Sequence, residues 1–149
     1  MATATPTPAP YSPVAEAERL SRLSAAFHLI ALPESVLLRR ELDDLGTALP
    51  AAESLDAMAV LLARDGWVQY QLGSAEGGWC LAGAACQVTN GPVFRAVYYL
   101  LHLMIRVRCG EGVAMPAWND TPGRTLAEVL DLVGESAVFA RSYAAKAVA

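Results

Sequence analysis

Three residues of this chain have side chains that could carry chemistry together: Cys80, His102 and Asp120. Cys80 lies in the first turn of a predicted helix, where unpaired N–H groups and the positive end of the helix dipole favour a thiolate. A nucleophilic thiolate also needs a base and an orienting group, which His102 with Asp120 or Asn119 could supply. The competing interpretation is that Cys80 is a small buried hydrophobe beside Trp79. A cysteine-dependent hydrolase or transferase is therefore one hypothesis.

A polar stripe runs along an otherwise apolar predicted helix. Arg95, Tyr99, His102 and Arg106 recur at spacings of four, three and four, so they share one helix face. Together with Arg124, near the start of the last predicted helix, the two stripe arginines could hold an anion or a nucleotide-derived ligand if the guanidinium groups converge. The pattern leaves open whether the stripe faces solvent, a cleft or a partner.

A polar loop follows Trp118. The side chains of Asn119, Asp120 and Thr121 are suited to bond local backbone N–H groups and so to fix the turn before Pro122. The same amide and carboxylate could instead meet an arginine of the stripe or a partner protein. Both a structural and a binding role are thus consistent with these residues.

The cysteine pattern argues against a metal site. Cys80, Cys86 and Cys109 are an odd number and show neither a CxxC pair nor a Cys/His spacing suited to zinc. Free thiols in a reducing cytoplasm are the expected state. We expect no metal and no cofactor.

Composition favours one cytoplasmic domain. Of 149 residues, 54% are hydrophobic, which is enough for one core, while a net charge of -4 argues against a nucleic-acid binder. The longest apolar stretch, 96–105, is about half the length that a membrane span needs. Residues 1–11, rich in Pro, Thr and Ala, have no secretory signal pattern and are predicted to be a disordered tail.

Helical periodicity accounts for nearly all of the rest. The predicted fold is all-α, a single compact domain over residues 12–149 with about five or six helices and at most one short extended segment near 67–72. Helix starts are predicted at Pro13, Pro33, Pro50 or Ser54, Trp79, Gly91 and Thr125, where Thr125 and Glu128 form a capping box. Gly134 could kink the last helix.

Two Trp-anchored motifs carry a resemblance to a family. They are Trp79-Cys80-x-x-Gly83-Ala84 and Trp118-Asn119-Asp120-x-Pro122-Gly123-Arg124-Thr125-x-x-Glu128-Val129-Leu130. In this order they resemble an uncharacterised family of small bacterial and phage proteins, over roughly residues 55–133. The resemblance implies a helical domain in which the first motif packs near the second. It implies no activity.

The leading functional hypothesis is a small, non-enzymatic accessory or interaction protein, in a phage-associated or bacterial setting. The mean hydropathy is +0.33, which implies more apolar side chains than a small monomer can bury. This favours a protein partner or a homo-oligomer. The self-association surfaces considered are Phe94, Tyr98 and Leu101, or Val138, Phe139 and Tyr143. The candidate binding residues are Trp79, Arg95, Tyr99, Arg106, Trp118, Asn119, Asp120 and Arg124.

Overall fold

Proline, glycine and short polar side chains divide the apolar runs of this chain into successive helices. The computed structural model describes residues 12–147. In chain order the elements are α1 (Pro13–Ile30), a short 3-10 helix (Pro33–Ser35), α2 (Val36–Asp43), α3 (Ala48–Asp65), β1 (Gly73–Ser74), β2 (Gly78–Trp79), α4 (Leu81–Val88), α5 (Gly91–Cys109), α6 (Met115–Asn119) and α7 (Leu126–Ala147). The all-α prediction is confirmed, and the predicted tail at 1–11 lies outside the described residues.

Local signals set the helix ends. The Ser12 hydroxyl caps α1 by accepting the N–H of Ala15, and Gly66 ends α3 with a φ of 97°. At the start of α7, Glu128 accepts the Thr125 N–H while the Thr125 hydroxyl accepts the Glu128 N–H, both at 3.2 Å. This reciprocal pair is the predicted capping box.

The core lies where α3, α5 and α7 meet. α3 and α7 form the most extensive helix pair, and α5 packs against both of them and against α1. Fully buried side chains from the three helices include Leu55, Met58 and Leu62, Leu100 and Met104, and Leu132 and Phe139. Each buried side chain of this size contributes about 1.5–3 kcal/mol, so packing rather than helix propensity holds the domain together.

One buried carboxylate joins three helices. Glu135 of α7 has a side chain only 1% exposed, and both of its oxygens accept from Nε of Arg22 in α1 at 3.0 Å. Arg108 of α5 bonds the same carboxylate and also Asp131. The side-chain Nε of Arg108 is buried without a partner within residues 12–147. Sequence patterns did not single out this cluster, because its members are far apart along the chain.

The structure decides two local alternatives that the sequence left open and moves the start of one helix. The segment 67–72 is a loop, with one isolated bridge between Trp67 and Trp79, and the hairpin forms just after it between β1 and β2. α4 begins at Leu81 rather than Trp79, so Cys80 is its N-cap. α7 runs unbroken through Gly134, where surrounding packing outweighs the propensity cost of glycine.

Membrane-spanning potential is limited to a bent pair of elements. Within residues 12–147 no single helix has both the length and the apolar content to cross a bilayer. Pro33–Asp43 and Ala48–Asp65 together have enough length and apolar content to cross a bilayer, but the two segments are bent by 90° relative to each other.

Candidate functional site

The two Trp-anchored motifs meet at the side chain of Asn119. This residue ends α6 and is only 2% exposed. Its Oδ1 accepts the backbone N–H of Leu81, the first residue of α4, at 3.1 Å. The side chain of Asn119 thereby supplies a cap to a helix start 38 residues earlier, where the first N–H groups have no helical partner.

The same amide holds the loop that follows α3. Asn119 Oδ1 also accepts from the indole nitrogen of Trp67 at 2.8 Å, and its Nδ2 donates to the carbonyl of Val68 at 3.1 Å. Nδ2 donates a second bond to Asp120 at 2.9 Å. Two accepted and two donated bonds use the whole hydrogen-bonding capacity of a primary amide. The side chain of Asn119 therefore has a structural role, in which it links α4, α6 and the loop after α3.

Asp120 holds Tyr70 in an uncommon backbone conformation. Tyr70 has a φ of 67° and is the only described non-glycine residue with a positive φ. Its N–H donates to Asp120 Oδ1 at 2.8 Å, and its hydroxyl donates to the Asp120 carbonyl at 3.0 Å. A left-handed residue costs roughly 1–2 kcal/mol, and two hydrogen bonds at about 1 kcal/mol each offset that cost. The Tyr70 side chain is nevertheless 72% exposed.

Glycines let the loop approach α4 closely. A Cβ on Gly83 would lie 2.2 Å from the carbonyl oxygen of Leu72, so only glycine fits there. The same Leu72 carbonyl accepts the N–H of Cys80 at 3.0 Å. Gly78 faces the backbone of Gly66 in the same way, with its Cβ position 2.7 Å from a carbonyl carbon. The Gly in the first motif is therefore a packing requirement.

A cavity of about 210 Å³ opens beside this junction. Its walls come from the loop, from the start of α4 and from α6, and they are mostly apolar. They are Gln71, Leu72, Cys80, Leu81, Ala82, Met115, Pro116, Asn119 and Asp120. Leu72, one of the lining residues, is 63% exposed. The cavity is a place where a small apolar group could be received.

The predicted Cys80–His102–Asp120 arrangement is not assembled. Cys80 and Asp120 line the cavity just described, whereas His102 lines a separate cleft between α5 and the 3-10 helix. Cys80 Sγ instead accepts the Gly83 N–H at 3.3 Å, as an N-cap. His102 therefore does not share a cavity with Cys80, and the hydrogen bond that the Cys80 side chain makes is a helix cap.

The arginines of the anion-binding hypothesis are not brought to one site. Arg95 donates to Glu41 at 2.7 Å, while Arg106 binds Glu34 and Glu111. Eleven residues separate the two arginines on α5, which is about 16 Å along its axis. Arg124 lies in another part of the molecule, 3.9 Å above the Trp118 ring, where it donates to Glu128.

Each tryptophan of the two motifs forms a hydrogen bond that helps to hold the fold. Trp118 is 1% exposed, and its carbonyl accepts from Arg124 Nε at 3.1 Å. The indole nitrogen of Trp79 donates to Asp65 at 2.9 Å. Hydrogen bonds from Arg64 and then from Trp79 lower the pKa of Asp65 below its usual value, because they stabilise the ionised carboxylate.

The residues considered for self-association are placed unequally. Leu101 and Phe139 are fully buried and belong to the core, so the expectation that they form a surface is wrong. Phe94, Tyr98 and Tyr143 are half-buried, and Val138 is 41% exposed. Leu101 and Phe139 are in the interior because α5 and α7 pack against each other and against α3.

The site includes residues that the sequence patterns did not suggest. Trp67, Gln69 and Tyr70 all bond the Asn119–Asp120 segment, and Gln69 Nε2 donates to the carbonyls of Asn119 and Thr121 at 3.2 and 2.9 Å. The alternation at 68–72 was a sign of an extended segment, but it did not show what the segment binds. Within residues 12–147, no group of three or more His, Cys, Asp or Glu residues could hold a metal ion.

Comparison with known proteins gives one match. A model for a family of unknown function, DUF6197, matches residues 46–138, which is more than half of the chain. The matched range contains both Trp-anchored motifs and the loop that they hold. No curated protein and no solved structure was found to match the chain.

Proposed function

The chain belongs to the family of unknown function DUF6197, and from the exposed loop that its two Trp-anchored motifs hold we propose that it is a protein-recognition module rather than an enzyme. The proposed recognition surface consists of Tyr70, Gln71 and Leu72, with the adjoining cavity as the pocket for one apolar side chain of a partner protein. The proposal keeps the accessory role expected from the sequence, in the cytoplasm and in a bacterial or phage setting.

The observation that carries the proposal is the strained, exposed Tyr70. A bulky residue persists at positive φ only where its surroundings hold it there, and such residues concentrate at binding and catalytic sites. Here two hydrogen bonds that Tyr70 donates to Asp120 hold it. An ordered aromatic anchor at the surface loses little conformational entropy when a partner binds.

The chemistry of the neighbouring cavity supports protein recognition more than catalysis. Leu72, Ala82, Met115 and Pro116 give it apolar walls. Its amide, Asn119, already makes its full set of four side-chain hydrogen bonds. An apolar pocket beside an exposed Tyr and Leu matches the usual composition of an interface centre.

Site-specific photo-crosslinking in the native cell tests this proposal. A photoreactive residue is placed at position 72 and, as a matched control, at position 20, because Leu72 and Leu20 are 63% and 60% exposed. We expect a discrete protein adduct from position 72 that position 20 does not form. The purified partner should then bind the wild type and Leu20→Ala equally, and bind Leu72→Ala and Tyr70→Ala at least about tenfold more weakly.

The outcomes separate the possible occupants. An adduct with a second copy of the chain, together with a concentration-dependent mass in sedimentation, would identify the partner as the protein itself. Equal crosslinking from positions 72 and 20, with a monomer mass at micromolar concentration, would overturn the proposal. Thermal unfolding of each variant shows whether lost binding reflects lost folding.

A further inference from the structure

A second cleft lies along the polar stripe of α5, outside the surface proposed for protein recognition. Tyr98, Tyr99, His102, Leu103 and Arg106 form one wall of a cavity of about 280 Å³. The opposite wall is the 3-10 helix and the start of α2, with Glu34, Ser35, Leu37 and Leu38. Three of the four stripe residues, Tyr99, His102 and Arg106, therefore face this cleft, while Arg95 pairs with Glu41. A shallower cavity that shares Glu34, His102 and Arg106 extends the cleft toward residues 110–113.

One part of the cleft is lined by aliphatic and aromatic side chains. Leu37, Leu38 and Leu103 line it with aliphatic side chains. Beside them, the Tyr98 and His102 rings are stacked with centroids 6.3 Å apart, and Tyr99 meets Tyr98 edge-on at 6.4 Å. Such a surface of rings and leucines suits one aromatic or branched apolar group.

Hydrogen-bonding groups of the cleft are unused by the protein. Within residues 12–147 the side-chain hydrogen bonds of α5 are made by its three arginines. The Tyr98 and Tyr99 hydroxyls and the His102 imidazole have no protein partner in that range. Arg106 uses only Nη2 there, toward Glu34 at 3.3 Å and Glu111 at 2.7 Å. Its Nε and Nη1 remain as donors.

The two glutamates on Arg106 are loosely held. The side chain of Arg106 is 21% exposed, but those of Glu34 and Glu111 are 53% and 79% exposed. Exposed ion pairs of this kind contribute little to stability, because water and salt screen them. A ligand carboxylate that binds Arg106 with two parallel bonds can therefore replace them at small cost.

We propose that this cleft binds a small organic carboxylate that carries one aromatic or branched apolar group. The carboxylate lies on Arg106, with Tyr99 and His102 as additional donors, and the apolar group packs against Leu37, Leu103 and Tyr98. The volume of about 280 Å³ between α5 and α2 suits a ligand of about the size of one amino acid or aromatic acid. This site is independent of the protein-recognition surface, since the two share no residue.

The charges in the cleft favour a carboxylate ligand over a phosphate or an amine. A phosphate carries more negative charge than a carboxylate, and Arg106 is the single arginine or lysine among the residues that line the two cavities. An amine ligand would be attracted by Glu34 and Glu111, but it would lie beside the Arg106 guanidinium that already donates to both carboxylates, and it would leave Nε and Nη1 of Arg106 unused. A monocarboxylate uses those donors and leaves the glutamates free to move into solvent.

Three probes of nearly equal shape test the assignment: phenylpropanoate, its primary amide, and phenylpropylamine. Each is titrated into the full chain to about 10 mM while backbone amide NMR signals are followed, since millimolar affinity is the weak limit for a small ligand. We expect saturable shifts from phenylpropanoate at residues 98–106. The amide and the amine should bind at least about tenfold more weakly.

Two matched variants complete the test. Arg106→Gln should weaken phenylpropanoate binding about tenfold or more. Arg141→Gln, which removes another surface arginine paired with an exposed aspartate, should leave it unchanged. Tighter binding of the amine than of the carboxylate, unchanged binding by Arg106→Gln at an unaltered melting temperature, or no saturable shift at residues 98–106 would each overturn the proposal. None of these results depends on a partner for Tyr70 and Leu72.

Discussion

The amide oxygen of Asn119 accepts the backbone N–H of Leu81 at 3.1 Å. This one bond joins the end of α6 to the start of α4, and so joins the two Trp-anchored motifs. The loop 67–72 is then fixed between them by Trp67, Val68 and Tyr70. The motif residues therefore act mainly by positioning a loop, and the loop carries the exposed groups.

Asn119→Asp should destabilise the domain by about 2–4 kcal/mol. The substitution keeps the shape and the acceptor for Leu81, but it turns the Nδ2 donor into an oxygen facing the Val68 carbonyl and Asp120 Oδ1. Urea unfolding measures the free energy of unfolding. Thr121→Ala, at an exposed neighbouring position, serves as the control and should cost under about 1 kcal/mol. A loss for Asn119→Asp no larger than this control would contradict the assigned bonds.

Two glycine-to-alanine substitutions should have opposite effects. In Gly83→Ala the new Cβ would lie 2.2 Å from the Leu72 carbonyl oxygen, so the loop must move and stability should fall by about 2 kcal/mol or more. Gly134→Ala meets nothing within 4 Å on α7 and should raise stability by about 0.5–1 kcal/mol. Thermal unfolding of both variants checks the pair, and stabilisation by Gly83→Ala would contradict the close contact between Gly83 and the Leu72 carbonyl.

Glu135→Ala should cost about 3–5 kcal/mol, because it leaves the part-buried guanidinium groups of Arg22 and Arg108 without their shared carboxylate. Glu111→Ala removes an equally charged residue that is 79% exposed and should change stability by about 0.5 kcal/mol or less. Guanidinium chloride unfolding separates the two. If both variants lowered the free energy of unfolding by a similar amount, the Glu135 cluster would contribute no more to stability than a surface ion pair.

Acid should weaken the contact between Asp65 and Trp79. The folded-state pKa of Asp65 is lowered by Arg64 and Trp79, so its stabilising effect is present above about pH 4, the unfolded value. That effect is lost as the pH falls through the folded-state pKa. We expect Asp65→Asn to flatten the decline of melting temperature between about pH 5 and 2. Asp44→Asn, at an exposed residue, is the control, and a decline unchanged by Asp65→Asn would contradict the prediction.

Alkaline conditions should act through Tyr143. Burial and then the neighbouring Asp43 carboxylate raise the pKa of Tyr143 to about 12. A raised pKa of an acid means that the folded state holds its proton more tightly, so stability is full below about pH 10 and is lost between about pH 10 and 12. Tyr143→Phe should decrease this alkaline loss. Melting temperatures across this range check it, and a loss identical to that of the wild type would argue against the hydrogen bond to Asp43.

The sequence by itself determined the helical class and most helix ends. Ser12 with Pro13, Gly66, and the Thr125–Glu128 box act on the backbone within three or four residues, so their effects can be read without a fold. The motif resemblance also implied that the two Trp segments pack together, as Asn119 and Leu81 do.

Tertiary structure decided which side chains share a site. Cys80 and His102 have suitable chemistry, yet the packing of α4 and α5 places them in separate cavities. Glu135 has no distinctive local pattern, but folding brings Arg22, 113 residues earlier, to its carboxylate. Helix periodicity specifies which face of a helix is apolar, whereas the partner of each polar group depends on how the helices cross, and that is set by packing of the whole core.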